Sequence, residues 1–290
     1  MGLQASGSYT APMTTLEFVV LLWVGSVLAG LTGALTGLGG GVVIVPLLVF
    51  GFGVDIRYAM GASLISVIAT SSGAAAAYVK EGYSNLRIGM FLEIATTVGA
   101  LVGAFLAVRL PTHFIGIVFG TVLIVSALLA FREKAVPPEA RQPNALATRL
   151  KMDSSYPTVK GMEFYHVQDV PGGFGMMFVA GTLSGLLGIG SGAFKVLAMD
   201  QIMKIPFKVS TTTSNFMIGV TAAASAGIYL RRGFIDPGLA MPVVLGVLVG
   251  SLLGTRVLMK ANVNWLRIVF SVVIVLLGIE MIFGSLTGIL

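Results

Sequence analysis

The chain repeats itself. Shifting the sequence by 151 positions lays Gly37-Leu38-Gly39-Gly40-Gly41 on Gly188-Ile189-Gly190-Ser191-Gly192. With no gap, the same shift pairs Ser63 with Ser214, Thr70 with Thr221, Tyr78 with Tyr229 and Gly82 with Gly233. It runs on through Gly99 on Gly250 and Gly103 on Gly254 to Ile117-Val118-Phe119 on Ile268-Val269-Phe270. Between residues 29 and 131, 21 of 103 pairs are identical. Shared apolar composition alone does not hold one register over such a span. The fold must therefore be built from two copies of one unit, with a glycine-rich motif at the same place in each.

Composition says where those copies live. The chain is 56% hydrophobic and 10% charged, with mean hydropathy +0.96. Stretches such as 16–35 and 265–283 match the roughly 20 residues that cross a bilayer core. The first 20 residues hold no Lys or Arg, so no signal peptide is expected there. There is no cysteine, which removes disulfides, thiolate metal sites and cysteine nucleophiles. The net charge of +6 comes from scattered loop residues without interleaved aromatics, which reads as topology and not as nucleic-acid binding.

Each half carries four long apolar segments and one short one just after the glycine motif. The first half reads as 16–37, the short 41–53, 58–79, 86–108 and 112–131. The second reads as 173–188, the short 192–203, 209–230, 237–259 and 265–287. Residues 1–131 and 172–290 are thus two transmembrane repeats around a polar segment, 132–171. That segment holds six basic residues and five prolines and reads as a flexible or loosely packed loop. If the short segments cross, each half has five passes and the second is inverted. Thirteen basic residues then share one side and four the other, with Lys195 inside the membrane. If they do not cross, the bias disappears. Since basic residues collect on the cytoplasmic side, the expectation is an all-α polytopic protein with two inverted repeats of about five segments. The central loop is then cytoplasmic.

A long apolar chain with duplicated glycine breaks has the organisation of a membrane transporter with its site between the repeats. Gly37, Gly39, Gly40 and Gly41, with Gly188, Gly190, Ser191 and Gly192, allow turns that other residues resist. A short helix should start after each motif, and its N-terminal N–H groups suit an anion. Close helix packing through small residues explains the same glycines. The motif is not a dinucleotide fingerprint, because Val42 and Ala193 stand where its last glycine would be. A hydroxyl-rich run comes next, Ser63 to Ser72 in one half and Thr211 to Thr221 in the other. Ser63, Thr213, Ser214 and Asn215 are the candidate substrate contacts, since uncharged donors hold an oxyanion without a buried charge. Bonding to their own helix is the alternative role.

Lys195 is the sharpest single residue: its repeat counterpart is Ile44, so only the second half carries an intramembrane cation. Asp200 is a candidate partner, at poor helical spacing. Glu93, opposite Val244 in the repeat, is a candidate proton carrier or a structural carboxylate. The spacing Gly99-x-x-x-Gly103 and Gly250-x-x-x-Gly254 suits close helix contact and would permit a homodimer. Tyr78 and Tyr229 are expected at the bilayer interface. His113 and His166 stand alone, so no metal or other cofactor is implied.

The paired Gly-x-Gly-x-Gly segments and Thr212-Thr213-Ser214-Asn215-Phe216-Met217 resemble the TauE/SafE family of sulfite and sulfonate exporters over about 29–131 and 180–283. The resemblance implies transport of small sulfur-containing anions, such as sulfite or sulfoacetate, across the cytoplasmic membrane. Val45-Pro46 fits the family's pattern after the glycines, whereas Val196-Leu197 and Lys195 depart from it. The expected function is therefore a secondary exporter working by alternating access, with a small anion and membrane lipid as partners. A negative-inside potential already favours anion exit, at about 2.3 kcal/mol per charge per 100 mV. Import would need a coupled ion, with Glu93 or Asp200 to carry it. The rival readings are an anion channel and a membrane scaffold acting through 132–171. No nucleophile–base set supports an enzyme.

Overall fold

The computed structural model describes residues 14–36, 40–80, 84–130, 144–158, 161–258 and 263–288. The first half forms α1 (Thr15–Thr36), α2 (Gly41–Pro46), α3 (Ile56–Lys80), α4 (Leu86–Arg109) and α5 (Thr112–Ala130). After α6 (Ala145–Arg149) and a hairpin of β1 (Ser154–Thr158) and β2 (Gly161–Tyr165), the second half follows. It forms α7 (Val170–Leu187), α8 (Gly192–Leu197), α9 (Phe207–Arg231), α10 (Pro237–Leu258) and α11 (Val263–Leu286). The 151-residue shift carries α2 onto α8 and α3 onto α9 residue for residue. Both short helices run straight into a π-helical turn, Leu47–Gly51 and Ala198–Ile202, again at equivalent positions. Such turns are uncommon and gather at functional places.

Small residues set the packing. A side chain on Gly99 or Gly103 of α4 would strike the α7 backbone at Phe178 and Thr182, and one on Gly181 or Gly185 would strike α4 at Thr96 and Ala100. Residue numbers rise together along this pair, so α4 and α7 run the same way. The equivalent contact joins α10 to α1, where Gly250 faces Val27 and Gly30 faces Val247. By contrast α3 and α9 run in opposite senses: Met60 meets Tyr229, while Ser71 meets Gly219. The face of Gly99 and Gly103 is thus spent inside the chain and is not open to a second copy.

The two ends of the bundle are built differently. At one, Asn85 caps α4, donates its backbone N–H to Thr213 Oγ1 at 3.1 Å, and donates its amide to the Met152 carbonyl and the Tyr165 hydroxyl. Arg87 donates to the Lys151 carbonyl there, and Gln168 N–H to the Met203 carbonyl. At the other end Arg57 donates to the Leu110 carbonyl and lies over Phe234.

The central segment corrects one expectation. Residues 144–158 and 161–169 are not a loose loop: Ala147, Met152, Tyr165 and Val167 are buried in a cluster with Ile88, Met203 and Val209. Alternation along β2 leaves Met162 and Phe164 exposed while Tyr165 turns inward. Tyr229 is a second correction. It is fully buried, not interfacial, and its hydroxyl donates to the Gly185 carbonyl at 3.1 Å. The lateral rim is apolar, with Leu28, Ile94, Leu128, Leu252 and Leu276 exposed. An aqueous surface does not tolerate such a belt, and α4 and α7 are each long and apolar enough to cross a bilayer core.

Candidate functional site

The glycine motif of the second half is a true break. α7 stops at Gly188, which has φ 68°, and Gly190 (φ 75°) and Ser191 (φ 46°) are left-handed as well. A left-handed serine costs about 1–2 kcal/mol, so its surroundings must hold it there. Of the first motif, Gly40 and Gly41 are described and buried, while Gly37 and Gly39 lie outside the described residues. The two motifs touch. A Cβ on Gly41 would lie 2.5 Å from Ser63 Oγ and 3.3 Å from the Ile189 Cα. Ser63 in turn donates to the Gly188 carbonyl at 2.7 Å, so the hydroxyl of one half satisfies the broken backbone of the other. Ser214, its repeat partner, donates to the Gly192 carbonyl at 3.3 Å. Tyr229 secures the carbonyls of the last α7 turn, which a helix end leaves without internal partners.

One face of α9 lines the break. Ser214 meets Gly192, Ile218 abuts Gly190, and seven residues after Ser214 comes Thr221, two turns along the same stripe. Lys195 leaves α8 toward that stripe. Its side chain is 0% exposed, and its Nζ donates to Thr221 Oγ1 at 2.5 Å. On the far side of the hydroxyl stands Glu93 of α4, whose Oε1 lies 2.7 Å from Thr221 Oγ1 and accepts from Thr97 Oγ1 at 3.1 Å. Three helices from both halves thus converge on one buried cation and one buried carboxylate. Each alone would be strongly disfavoured in so apolar a surrounding, and together they offset one another. Glu93 Oε2 is buried and has no hydrogen-bond partner among the described residues, and the same is true of the hydroxyls of Ser191 and Ser184.

The arrangement is one-sided. The repeat equivalents of Lys195, Glu93 and Thr221 are Ile44, Val244 and Thr70. Ile44 is buried, and Thr70 returns its hydroxyl to the Ser66 carbonyl of its own helix.

The structure therefore brings Lys195 and Glu93 together and leaves Asp200 out. The Asp200 carboxylate receives the Gln201 amide at 2.6 Å on the π turn. Thr213 is buried and accepts from Asn85, and Asn215 is half-buried beside it on α9. Sequence reasoning missed Thr221 and Thr97 as members of the charged cluster. The signal for Thr221 was its i+7 spacing from Ser214; nothing in the sequence marked Thr97.

Comparison with known proteins agrees with this architecture. The chain is 28% identical over 279 residues to the probable membrane transporter protein YunE of Bacillus subtilis (strain 168), covering 93% of this chain and 99% of that one. It is 25% identical over 276 residues to a probable membrane transporter protein of Xylella fastidiosa (strain 9a5c), covering 94% and 98%. With the probable membrane transporter protein MJ0441 of Methanocaldococcus jannaschii it shares 24% over 284 residues, covering 92% and 97%. No solved structure matches the chain. The profile of the sulfite exporter TauE/SafE family matches residues 22–281, nearly the whole of both repeats, and the chain belongs to that family of multi-pass membrane proteins.

Proposed function

We propose that this protein is a secondary exporter of a small sulfur-containing anion, sulfite or an organosulfonate such as sulfoacetate, across the cytoplasmic membrane. The observation that carries the reading is Lys195: a fully buried ammonium three residues beyond a helix break, reached by polar groups of both halves. In this reading the anion binds beside the two touching glycine motifs, Gly37 to Gly41 and Gly188 to Gly192. Lys195 compensates its charge and Ser191, Thr213 and Asn215 supply uncharged donors, while Ser63 and Ser214 give their hydroxyl hydrogens to the broken backbone that frames the site. The unpartnered hydroxyl of Ser191 supports such a donor role. Glu93 is the candidate proton carrier; the contact of Asp200 with Gln201 argues for Glu93 over Asp200.

Alternating access requires the two repeats to be inverted, and the opposed course of the equivalent helices α3 and α9 supports that. The end holding Arg87, Lys151, Lys204 and Lys208 is then cytoplasmic, following the rule that basic residues gather inside. Arg57, Arg109, Arg231 and Arg232 belong to the opposite end. Purified protein in liposomes should move labelled sulfite or sulfoacetate, with counterflow, and Lys195→Ala should lower the rate at least about tenfold, the effect of about 1.4 kcal/mol. Unchanged flux in Lys195→Ala would remove the anion site from this position, and flux without counterflow would make the protein a channel.

A further inference from the structure

The buried pair is electrically closed: one ammonium, one carboxylate, and a threonine hydroxyl between them. We infer that substrate and proton enter this site together, the anion replacing the Glu93 carboxylate as counter-ion of Lys195 while Glu93 takes up one proton. The inference rests on the transport reading above, narrows its substrate class to singly charged oxyanions in place of dianions such as sulfoacetate, and makes transport electroneutral, so that the anion and proton gradients and not the membrane potential set its direction.

The argument is charge conservation in an apolar interior. An anion added to an intact Lys195–Glu93 pair would leave a net negative charge buried, which is strongly disfavoured. A proton on Glu93 restores neutrality, with the ammonium and the anion balanced and the carboxyl uncharged. A second negative charge on the anion would break that balance again. Two features of the geometry suit the exchange. Glu93 Oε2 is buried without a partner among the described residues, which is where a carboxylic proton can sit. The Thr221 hydroxyl has a single hydrogen and two acceptors in reach, Glu93 Oε1 at 2.7 Å and the Met217 carbonyl at 2.8 Å. When Glu93 is neutral, Thr221 can turn its hydrogen to Met217 and still accept from Lys195, so the ammonium is released from the carboxylate without losing its hydroxyl partner.

The Tyr229 hydroxyl of α9 donates to the Gly185 carbonyl, and other charged side chains do not intrude. Between Val170 and Leu187, α7 has none. On α9 they are Lys208 and Arg231, both exposed near its ends, and on α4 they are Arg87 and Arg109, exposed as well. On α3 they are Arg57 and, at its last residue, Lys80; Arg57 bonds the Leu110 carbonyl. On the π turn after α8, Asp200 bonds Gln201. Among the described residues, Lys195 is the charge that faces Glu93.

The test is calorimetric titration of the full-length protein in detergent at pH 7, in two buffers of different ionisation enthalpy. The probes are isethionate, a permanent monoanion, and sulfoacetate, a dianion at that pH. Isethionate should bind with uptake of about one proton per anion, and its affinity should fall up to about tenfold per pH unit as pH rises. Glu93→Gln should bind it without proton uptake and without that pH dependence, and sulfoacetate should bind more weakly than isethionate. Binding of isethionate by wild-type protein with no proton taken up would overturn the inference, as would tighter binding of sulfoacetate; either leaves the transport reading intact. Failure of isethionate, sulfoacetate and sulfite alike to bind would instead sink the transport reading, and the inference with it. The wild-type proton count stands even where Glu93→Gln does not fold.

Discussion

A single hydroxyl organises the charged cluster. Thr221 accepts from Lys195 and donates toward Glu93, so it fixes the distance between a cation on α8 and an anion on α4. Replacing it with valine keeps the shape and removes both roles. Thr221→Val should therefore lose stability by about 1–3 kcal/mol, the cost of leaving buried polar partners unmatched, and should lose most anion flux. Thr221→Ser should keep both, because the hydroxyl and not the methyl carries the role. Thermal unfolding in detergent, beside liposome flux, separates these outcomes. Lys195 and Glu93 were legible in the sequence as ionisable residues inside apolar segments, each opposite an apolar residue in the repeat. Their pairing was not, since 102 residues separate them and only the packing of α4 on α9 brings them near. Tyr229 was misread because a tyrosine near a helix end looks interfacial, and only the position of α7 reveals that its ring is enclosed.

At the level of elements, glycine decides which helices approach. α4 and α7 meet through Gly99, Gly103, Gly181 and Gly185, each of which has neighbouring backbone where a side chain would go. Gly185→Ala should thus push the pair apart and destabilise the protein by about 1–3 kcal/mol, the cost of overpacking. Because that face is buried in the chain, the same change should leave the oligomeric state in gel filtration unaltered; dissociation of an oligomer would place the face elsewhere. Every long helix was readable from the apolar runs and the 151-residue register. The break of the second half was readable too, because Gly188 and Gly190 stand where the chain turns left-handed. The hairpin was not: its inward residues alternate over only five positions, and prolines and basic residues dominate the composition around it.

For the whole molecule, topology is the open quantity that one labelling experiment fixes. The chain has no cysteine, and Phe164 on the hairpin is 73% exposed. In Phe164→Cys, an impermeant thiol reagent should react in inside-out vesicles and not on intact cells. Labelling from outside would reverse the assigned sidedness while leaving the fold untouched. The two ends already differ in how they are finished. One is covered by the hairpin, held through Asn85 and Tyr165, and at the other, among the described residues, short turns join the helices.

The halves match in the order of their short and long helices but not in the chemistry beside the helix break. Lys195 and Glu93 have Ile44 and Val244 as their counterparts, so exchanging the roles of the two halves would change the electrostatic energy of the site. Under the alternating access proposed above, the two openings would therefore differ in energy even with no anion bound.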